Sequence, residues 1–220
     1  LTPITLNSNF NDWENFRSLS WSPDGSKIAF DDEGEIFTVN VDGSNRTNLT
    51  NNHARDYAPV WSPDGTRILF SSSRIFFRAM HTMNPDGSDL KALAGVGYSW
   101  DENPDWSPAG DKIIFVLNSE DFGTAINTAD ADGTNRRFFA SNGAGGNGIR
   151  NKPKWSPDST KIVFHDSAFP NMDSQIYVRN VNGTGLTQLT NTTGNNFQPT
   201  WQQARIRQLS PVAAEAKEPM

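Results

Sequence analysis

Ten residues, Trp61-Ser62-Pro63-Asp64-Gly65-Thr66-Arg67-Ile68-Leu69-Phe70, constrain this chain more than any other stretch, because they recur. Trp21 to Phe30, Trp106 to Phe115 and Trp155 to Phe164 repeat them, and Trp201 opens a fifth copy that then fails. Each copy reads as a strand end, a tight turn and a second strand. Ser, Pro and Gly at the first, second and fourth turn positions are what a type I β-turn favours, since Pro pre-sets φ and Gly relieves the exit. Beyond the turn, Ile68 and Phe70 share one face of a strand while Leu69 takes the other. A strand apolar on both faces needs cover on both faces.

The rest of each unit keeps the same register. A Pro stands two residues before the Trp at Pro59, Pro104, Pro153 and Pro199, with Leu19 in the first copy. A second turn signal follows at Asp42-Gly43, Asp86-Gly87, Asp132-Gly133 and Asn182-Gly183. Ile36, Met80, Ile126 and Ile176 precede that turn at a constant offset, and Leu49, Leu93, Phe139 and Leu189 follow it at another. Four short strands result: A ends at the Trp, B carries Ile-x-Phe, C runs from about Ile36 to Val41, and D holds Thr47 to Thr50. The A–B and C–D links are short and uniform, whereas the B–C and D–A links vary. Four antiparallel strands repeating every 40 to 50 residues or so predict an all-β fold, a β-propeller of four-stranded blades stacked face to face. An open β-solenoid or sandwich is the alternative.

The expected blades are 17–50, 57–94, 103–140 and 152–190. A partial fifth unit at 197–209 joins 1–6, where Leu1-Thr2 resembles a strand D ending, and Arg205 to Leu209 forms a poor strand B. Residues 1–209 then make one propeller domain and 210–220 a disordered tail. This arrangement suits a five-bladed ring closed by both termini and equally a piece of a larger ring. No signal peptide or membrane-length apolar run is visible, and because the chain opens on Leu1 an upstream targeting segment is compatible with it.

Composition narrows the function classes. A formal net charge of -6 and the absence of a basic stripe argue against nucleic acid as partner. With no Cys, disulfide scaffolds and thiolate chemistry are excluded. Hydrophobic residues are only 35%, yet five of the seven Trp recur at one repeat position, so the composition is not that of a disordered chain.

The pattern Pro-x-Trp-Ser-Pro-Asp-Gly-x-x-Ile-x-Phe, followed by Ile-Tyr-x-x-x-x-Asn-Gly and Leu-Thr, resembles the WD40-like propeller repeat of the TolB family. Pro59 to Phe70 and Ile176 to Thr190 match most closely, and the resemblance spans about 17 to 201. Ala109 in place of Asp, Ser159 in place of Gly and the missing fifth turn depart from it. Related repeats occur in the non-catalytic propeller of prolyl-oligopeptidase-type peptidases and in oligogalacturonate lyase. The TolB resemblance implies a periplasmic scaffold that binds envelope proteins, with no catalytic site and no cofactor.

In an up-down-up-down blade the uniform A–B and C–D turns share one face of the disc, and the variable loops share the other. Binding is expected on the variable face. The D–A links there carry Asp12, Trp13 and Glu14, then Asp56 and Tyr57, then Trp100, Asp101 and Glu102. The B–C links carry Asp31, Asp32, Glu33, Phe76, Phe77, Phe122, Phe169 and Asp173. Large aromatics in an acidic rim suit a protein-binding patch, although the same rings can also cap the core between blades.

Other chemistry is weaker. His53, His81 and His165 project to one face and could bind a divalent metal, as in a carbohydrate-active, oligogalacturonate-lyase-like propeller, but His81 sits where other copies carry Phe37 and Tyr177, so plain substitution explains it. The turns Asn40-x-Asp42-Gly43-x-Asn45, Asn84-x-Asp86-Gly87-x-Asp89 and Asp130-x-Asp132-Gly133-x-Asn135 echo half a calcium loop without its distal acid. No Gly-x-Ser-x-Gly elbow occurs, and no residues remain for a hydrolase domain, which leaves an accessory propeller as a third reading. Lys27, Arg67, Lys112 and Lys161 are expected as solvated strand ends. Sequons such as Asn45-Arg46-Thr47 matter only in a eukaryotic secretory setting.

Overall fold

The computed structural model describes residues 18–74, 78–93, 99–119, 123–141, 152–167 and 173–201. Within them, the repeated units become four antiparallel sheets of four strands each. Blade 1 comprises Leu19–Trp21 (β1), Lys27–Asp32 (β2), Glu35–Asn40 (β3) and Thr47–Asn48 (β4). Blade 2 comprises Asp56–Trp61 (β5), Ile68–Ser72 (β6), Ala79–Met83 (β7) and Lys91–Ala92 (β8). Blade 3 comprises Ser99–Trp106 (β9), Lys112–Ser119 (β10), Gly123–Asp130 (β11) and Arg137–Ser141 (β12). Blade 4 comprises Lys154–Trp155 (β13), Lys161–Ser167 (β14), Ser174–Asn180 (β15) and Thr187–Gln188 (β16). Each sheet runs in sequence order, so neighbouring strands are joined by hairpins without crossovers.

The turns obey their residues. Gly25 N–H donates to the Ser22 carbonyl at 2.9 Å, closing the β-turn, and Gly25 leaves it in the left-handed region at φ 70°. Asp24 fixes the turn from within by accepting from the Ser22 and Ser26 hydroxyls and the Ser26 N–H, and these donors lower its pKa to about 2. Asp64 and Asp158 repeat that pattern. Where Ala109 replaces the acid, the Ser107 hydroxyl turns instead to Asp111 at 2.8 Å. Ser159, standing where the others have Gly, is held at φ 58°. In the C–D turns Gly43, Gly87, Gly133 and Gly183 take φ of 84–86°, the glycine of a type I turn with a bulge, and Asn45, Asp89 and Asn135, two residues on, are also left-handed at 50–52°. The first B–C link is the mirror-image form, with Glu33 and Gly34 both positive at 52° and 79°.

Strand B receives the two-sided cover its sequence demanded. Ile68 and Phe70 pack with Ala29 and Ile36 of blade 1, joined by Trp61 and Met83. Leu69, on the other face, packs with Met80, Trp106, Ile113 and Phe115 between blades 2 and 3. Ile114 and Ile126 meet Trp155, Ile162 and Phe164 between blades 3 and 4. The repeated Trp is therefore an inter-blade residue: Trp61, Trp106 and Trp155 are 6–8% exposed, whereas Trp21, beyond which no sheet stands among the described residues, is 52% exposed.

Polar ties reinforce the stack. Trp106 Nε1 donates to the Val60 carbonyl at 3.3 Å, and Trp201 Nε1 to the Lys154 carbonyl at 3.0 Å. The Trp61 N–H donates to Ser20 Oγ, and the Trp155 N–H to Asp105. Ahead of the Trp, strand A bulges at Ala58 and Asn103, where φ is 50–52° and the ladder registers shift, and Gln198 repeats the same φ at 54°. The recurrent Pro follows that bulge, where a missing N–H costs no ladder bond.

One expectation is corrected. Arg67 is not a solvated strand end: it donates to Asn84 Oδ1 at 2.7 Å, Thr82 Oγ1 at 2.8 Å and Asp89 Oδ2 at 2.8 Å, stapling strand B to the C–D turn. The expected strand B at Arg205 to Leu209, the contribution of 1–6 and the tail at 210–220 lie outside the described residues.

Candidate functional site

The B–C and D–A links meet on one face, as Asp56 N–H donates to the Gly34 carbonyl and Arg55 and Ser73 exchange bonds. Two sectors of this face have different chemistry. Between blades 1 and 2 a polar latch closes the D–A link. Thr50 Oγ1 accepts the Ile36 N–H and donates to Glu35, whose other oxygen accepts the Asn52 N–H at 2.9 Å. Asn52 then donates to Asp56 Oδ2, which also pairs with Arg74 at 2.8 Å. Blade 4 repeats the latch with Thr190, Gln175 and Asn196. The Leu-Thr ending thus serves loop closure, a role its repetition alone did not disclose.

The sector between blades 2 and 3 carries a half-exposed ledge. Arg78 lies 5.1 Å from the Tyr57 ring centroid and is ion-paired with Glu102. Asn118 donates to Glu102 Oε2 at 3.2 Å and is itself oriented by the Thr124 hydroxyl at 2.7 Å. Trp100 stands directly opposite Asn118 in the ladder and is 38% exposed. Asp101 lies beneath the surface at 2% exposure, paired with Arg136 at 2.8 Å, whose guanidinium sits 4.7 Å from the Phe115 ring. Burial raises the Asp101 pKa, and Arg136 opposes the rise.

The expected residues therefore separate by role. Tyr57, Trp100 and Glu102 come together at the ledge, while Asp56 and Asp101 are buried under arginines and do not form a solvated acidic rim. Asp31 is also buried and is pushed up to about 6 by desolvation, which the Ser18 and Ala58 N–H groups oppose. Asp12, Trp13, Glu14, Phe76, Phe77, Phe122 and Phe169 lie outside the described residues. Arg78 and Asn118 were missed by sequence reasoning, since neither occupies a recurring position. Asn118 is revealed by its cross-strand pairing with Trp100, and Arg78 by its ion pair with Glu102.

The histidines do not assemble. His53 is exposed in a D–A link, and His81 is buried against Phe70, with burial lowering its pKa. His165 is buried beside Phe197. Among the described residues no group of three or more His, Cys, Asp or Glu is placed to hold a metal ion. The carboxylates of the calcium-like turns are taken by their own Ser and Thr donors. No helix among the described residues is long and apolar enough to cross a membrane.

Two depressions adjoin these features. A cavity of about 370 Å³ runs along the inner strands, lined by Ala58, Pro59, Asn103, Pro104, Lys152, Pro153 and Pro199 among others. The recurrent Pro thus faces the axis of the stack. On the opposite, turn-bearing face a groove of about 770 Å³ lies between blades 2 and 3, over Leu93 and Trp106.

Comparison with known proteins places this architecture. The TolB beta propeller domain, PD40, matches residues 8–147. An uncharacterised protein of Agrobacterium fabrum strain C58 is 31% identical over 156 residues, covering 66% of this chain and 52% of its own length. The chain thus spans about half of the curated relative it matches. The structure of a putative TolB from Agrobacterium tumefaciens superposes with a TM-score of 0.69 at 20% identity, covering 82% of this chain and 64% of that one. TolB from Acinetobacter baumannii gives 0.64 at 16% identity, covering 82% and 42%. With four stacked sheets, the repeated Trp-Ser-Pro-Asp-Gly turn and a family match over more than half its length, the chain belongs to the PD40 family of TolB-type β-propellers.

Proposed function

We propose that this chain is a non-enzymatic protein-interaction scaffold that holds a protein partner on the face bearing the B–C and D–A loops, at the sector between blades 2 and 3. One observation carries the reading: Trp100, Tyr57 and Arg78, the residue types that dominate binding energy at protein interfaces, converge on one half-exposed ledge. Glu102 and Asn118 orient Arg78 in advance, which lowers the entropy lost on binding. The buried Asp56 and Asp101 hold the arginines behind the ledge and are not contact residues in this reading. No catalytic residue or cofactor is assigned. The net charge of -6 disfavours nucleic acid, and kinship with TolB-type propellers favours an extracytoplasmic setting with envelope proteins as partners.

The test is capture of envelope proteins on the immobilised chain. Trp100→Ala combined with Arg78→Ala should abolish specific capture while the urea unfolding midpoint stays near that of the wild type. A double variant that folds and captures as well as wild type would place the partner elsewhere.

A further inference from the structure

The four C–D turns share one side-chain bond, and one of them is built from a different residue. Asp42, Asp86 and Asp132 each accept, at Oδ1, the N–H and hydroxyl of the residue two further on, at 2.9 Å and 2.6–2.7 Å. In blade 4 the acceptor is Asn182, with Thr184 N–H at 3.0 Å and Thr184 Oγ1 at 2.7 Å. Asn182 is exposed and precedes Gly183, the only Asn-Gly pair among the described residues. A following glycine leaves its backbone nitrogen unshielded beside the Asn side chain.

We propose that Asn182 is a spontaneous modification site, deamidating to aspartate or isoaspartate, and that the closed β15–β16 hairpin gates the reaction. The Gly183 nitrogen loses its proton and attacks Asn182 Cγ, the Cγ–Nδ2 bond breaks, and the amide leaves as ammonia. Water then opens the cyclic imide at one carbonyl or the other.

The closed turn restrains both reacting groups. Gly183 N–H donates to the Asn180 carbonyl at 2.8 Å, so the nucleophile is engaged. The Asn182 side chain is held by the Thr184 N–H and hydroxyl, which both donate to its Oδ1. Arg179 clamps the turn from the side, donating to the Gly183 carbonyl and the Phe139 carbonyl at 2.6 Å each. Yet among the described residues no further sheet stacks beyond this hairpin. Leu186 and Leu189 are 59% and 56% exposed, and β16 has two residues, so local opening is easier here than between buried blades. The two products differ in consequence. Aspartate rebuilds the acceptor of the other three turns, whereas isoaspartate lengthens the backbone by a methylene and shortens the side chain, breaking the turn.

The test is peptide mapping of the whole chain held in mildly alkaline buffer, native and urea-unfolded, for wild type and Thr184→Ala. Conversion at Asn182 should be several-fold slower native than unfolded, and Thr184→Ala should raise the native rate several-fold. Asn182→Asp should unfold at the wild-type urea midpoint. Equal native and unfolded rates, an unchanged rate in Thr184→Ala, or unfolded conversion at Asn182 no faster than at Asn180 would each overturn the proposal.

Discussion

Replacing Trp106 and Trp21 by alanine, one at a time, separates a stacked-blade core from four sheets that merely share a sequence repeat. The two residues occupy the same repeat position and differ in cover, at 8% and 52% exposure. Truncating an enclosed Trp removes its transfer energy and leaves a cavity, so Trp106→Ala should cost about 3–5 kcal/mol. Its lost bond to the Val60 carbonyl falls within that range. Trp21 has no blade beyond it among the described residues, so no closed cavity forms. Half of a ring worth roughly 150–250 Å² at about 25 cal/mol per Å² gives about 2–3 kcal/mol at most, and a compact unfolded chain reduces this to about 1–2 kcal/mol. Urea unfolding followed by circular dichroism measures both. Equal losses, or a Trp106→Ala loss below that of Trp21→Ala, would refute the inter-blade role of the Trp.

Three further outcomes follow from single positions. Asp31 has a folded pKa near 6 against about 4 unfolded, so the folded state keeps its proton longer. Its stabilising contribution is full below about pH 4 and is lost as pH rises through about 6, so Asp31→Asn should gain about 3 kcal/mol at neutral pH and nothing near pH 4 in paired unfolding curves. Ser159→Gly relieves a left-handed φ of 58° and should add about 0.5–1 kcal/mol, the strain relief exceeding the extra unfolded-state entropy. A β-carbon on Gly87 would stand 2.7 Å from the Leu49 carbonyl oxygen, whereas one on Gly43 meets nothing within 4 Å. Gly87→Ala should therefore lower the thermal midpoint clearly more than Gly43→Ala, although both positions have φ near 85°.

The parts of the fold legible in the sequence are those encoded within one repeat. Trp61 to Phe70 announces its turn through Ser, Pro and Gly, and its two-sided strand through Ile68, Leu69 and Phe70, so stacked blades followed from local chemistry. What stayed hidden depends on partners far along the chain. Arg67 reads as a strand-end cation until the hairpin brings Asn84, Thr82 and Asp89 around it. Asp56 and Asp101 read as rim acids, and only the pairing with Arg74 and Arg136 shows why they are buried. The bulge was in principle readable, since a Pro at a fixed place in an inner strand signals a missing ladder bond. The ledge was half legible: Tyr57, Trp100 and Glu102 stood out as candidates, but they lie in strands β5 and β9 and not in the expected D–A links, and Arg78 and Asn118 join them only through pairings across strands.

The proposed docking of a protein partner on the ledge between blades 2 and 3 is decided by a paired capture measurement. Wild type, the Trp100→Ala/Arg78→Ala variant and a turn-face control, Asp64→Ala, are compared on the same envelope extract at matched folded concentration. Only the ledge variant should lose the specifically captured protein. Loss in the turn-face control with retention in the ledge variant would contradict it.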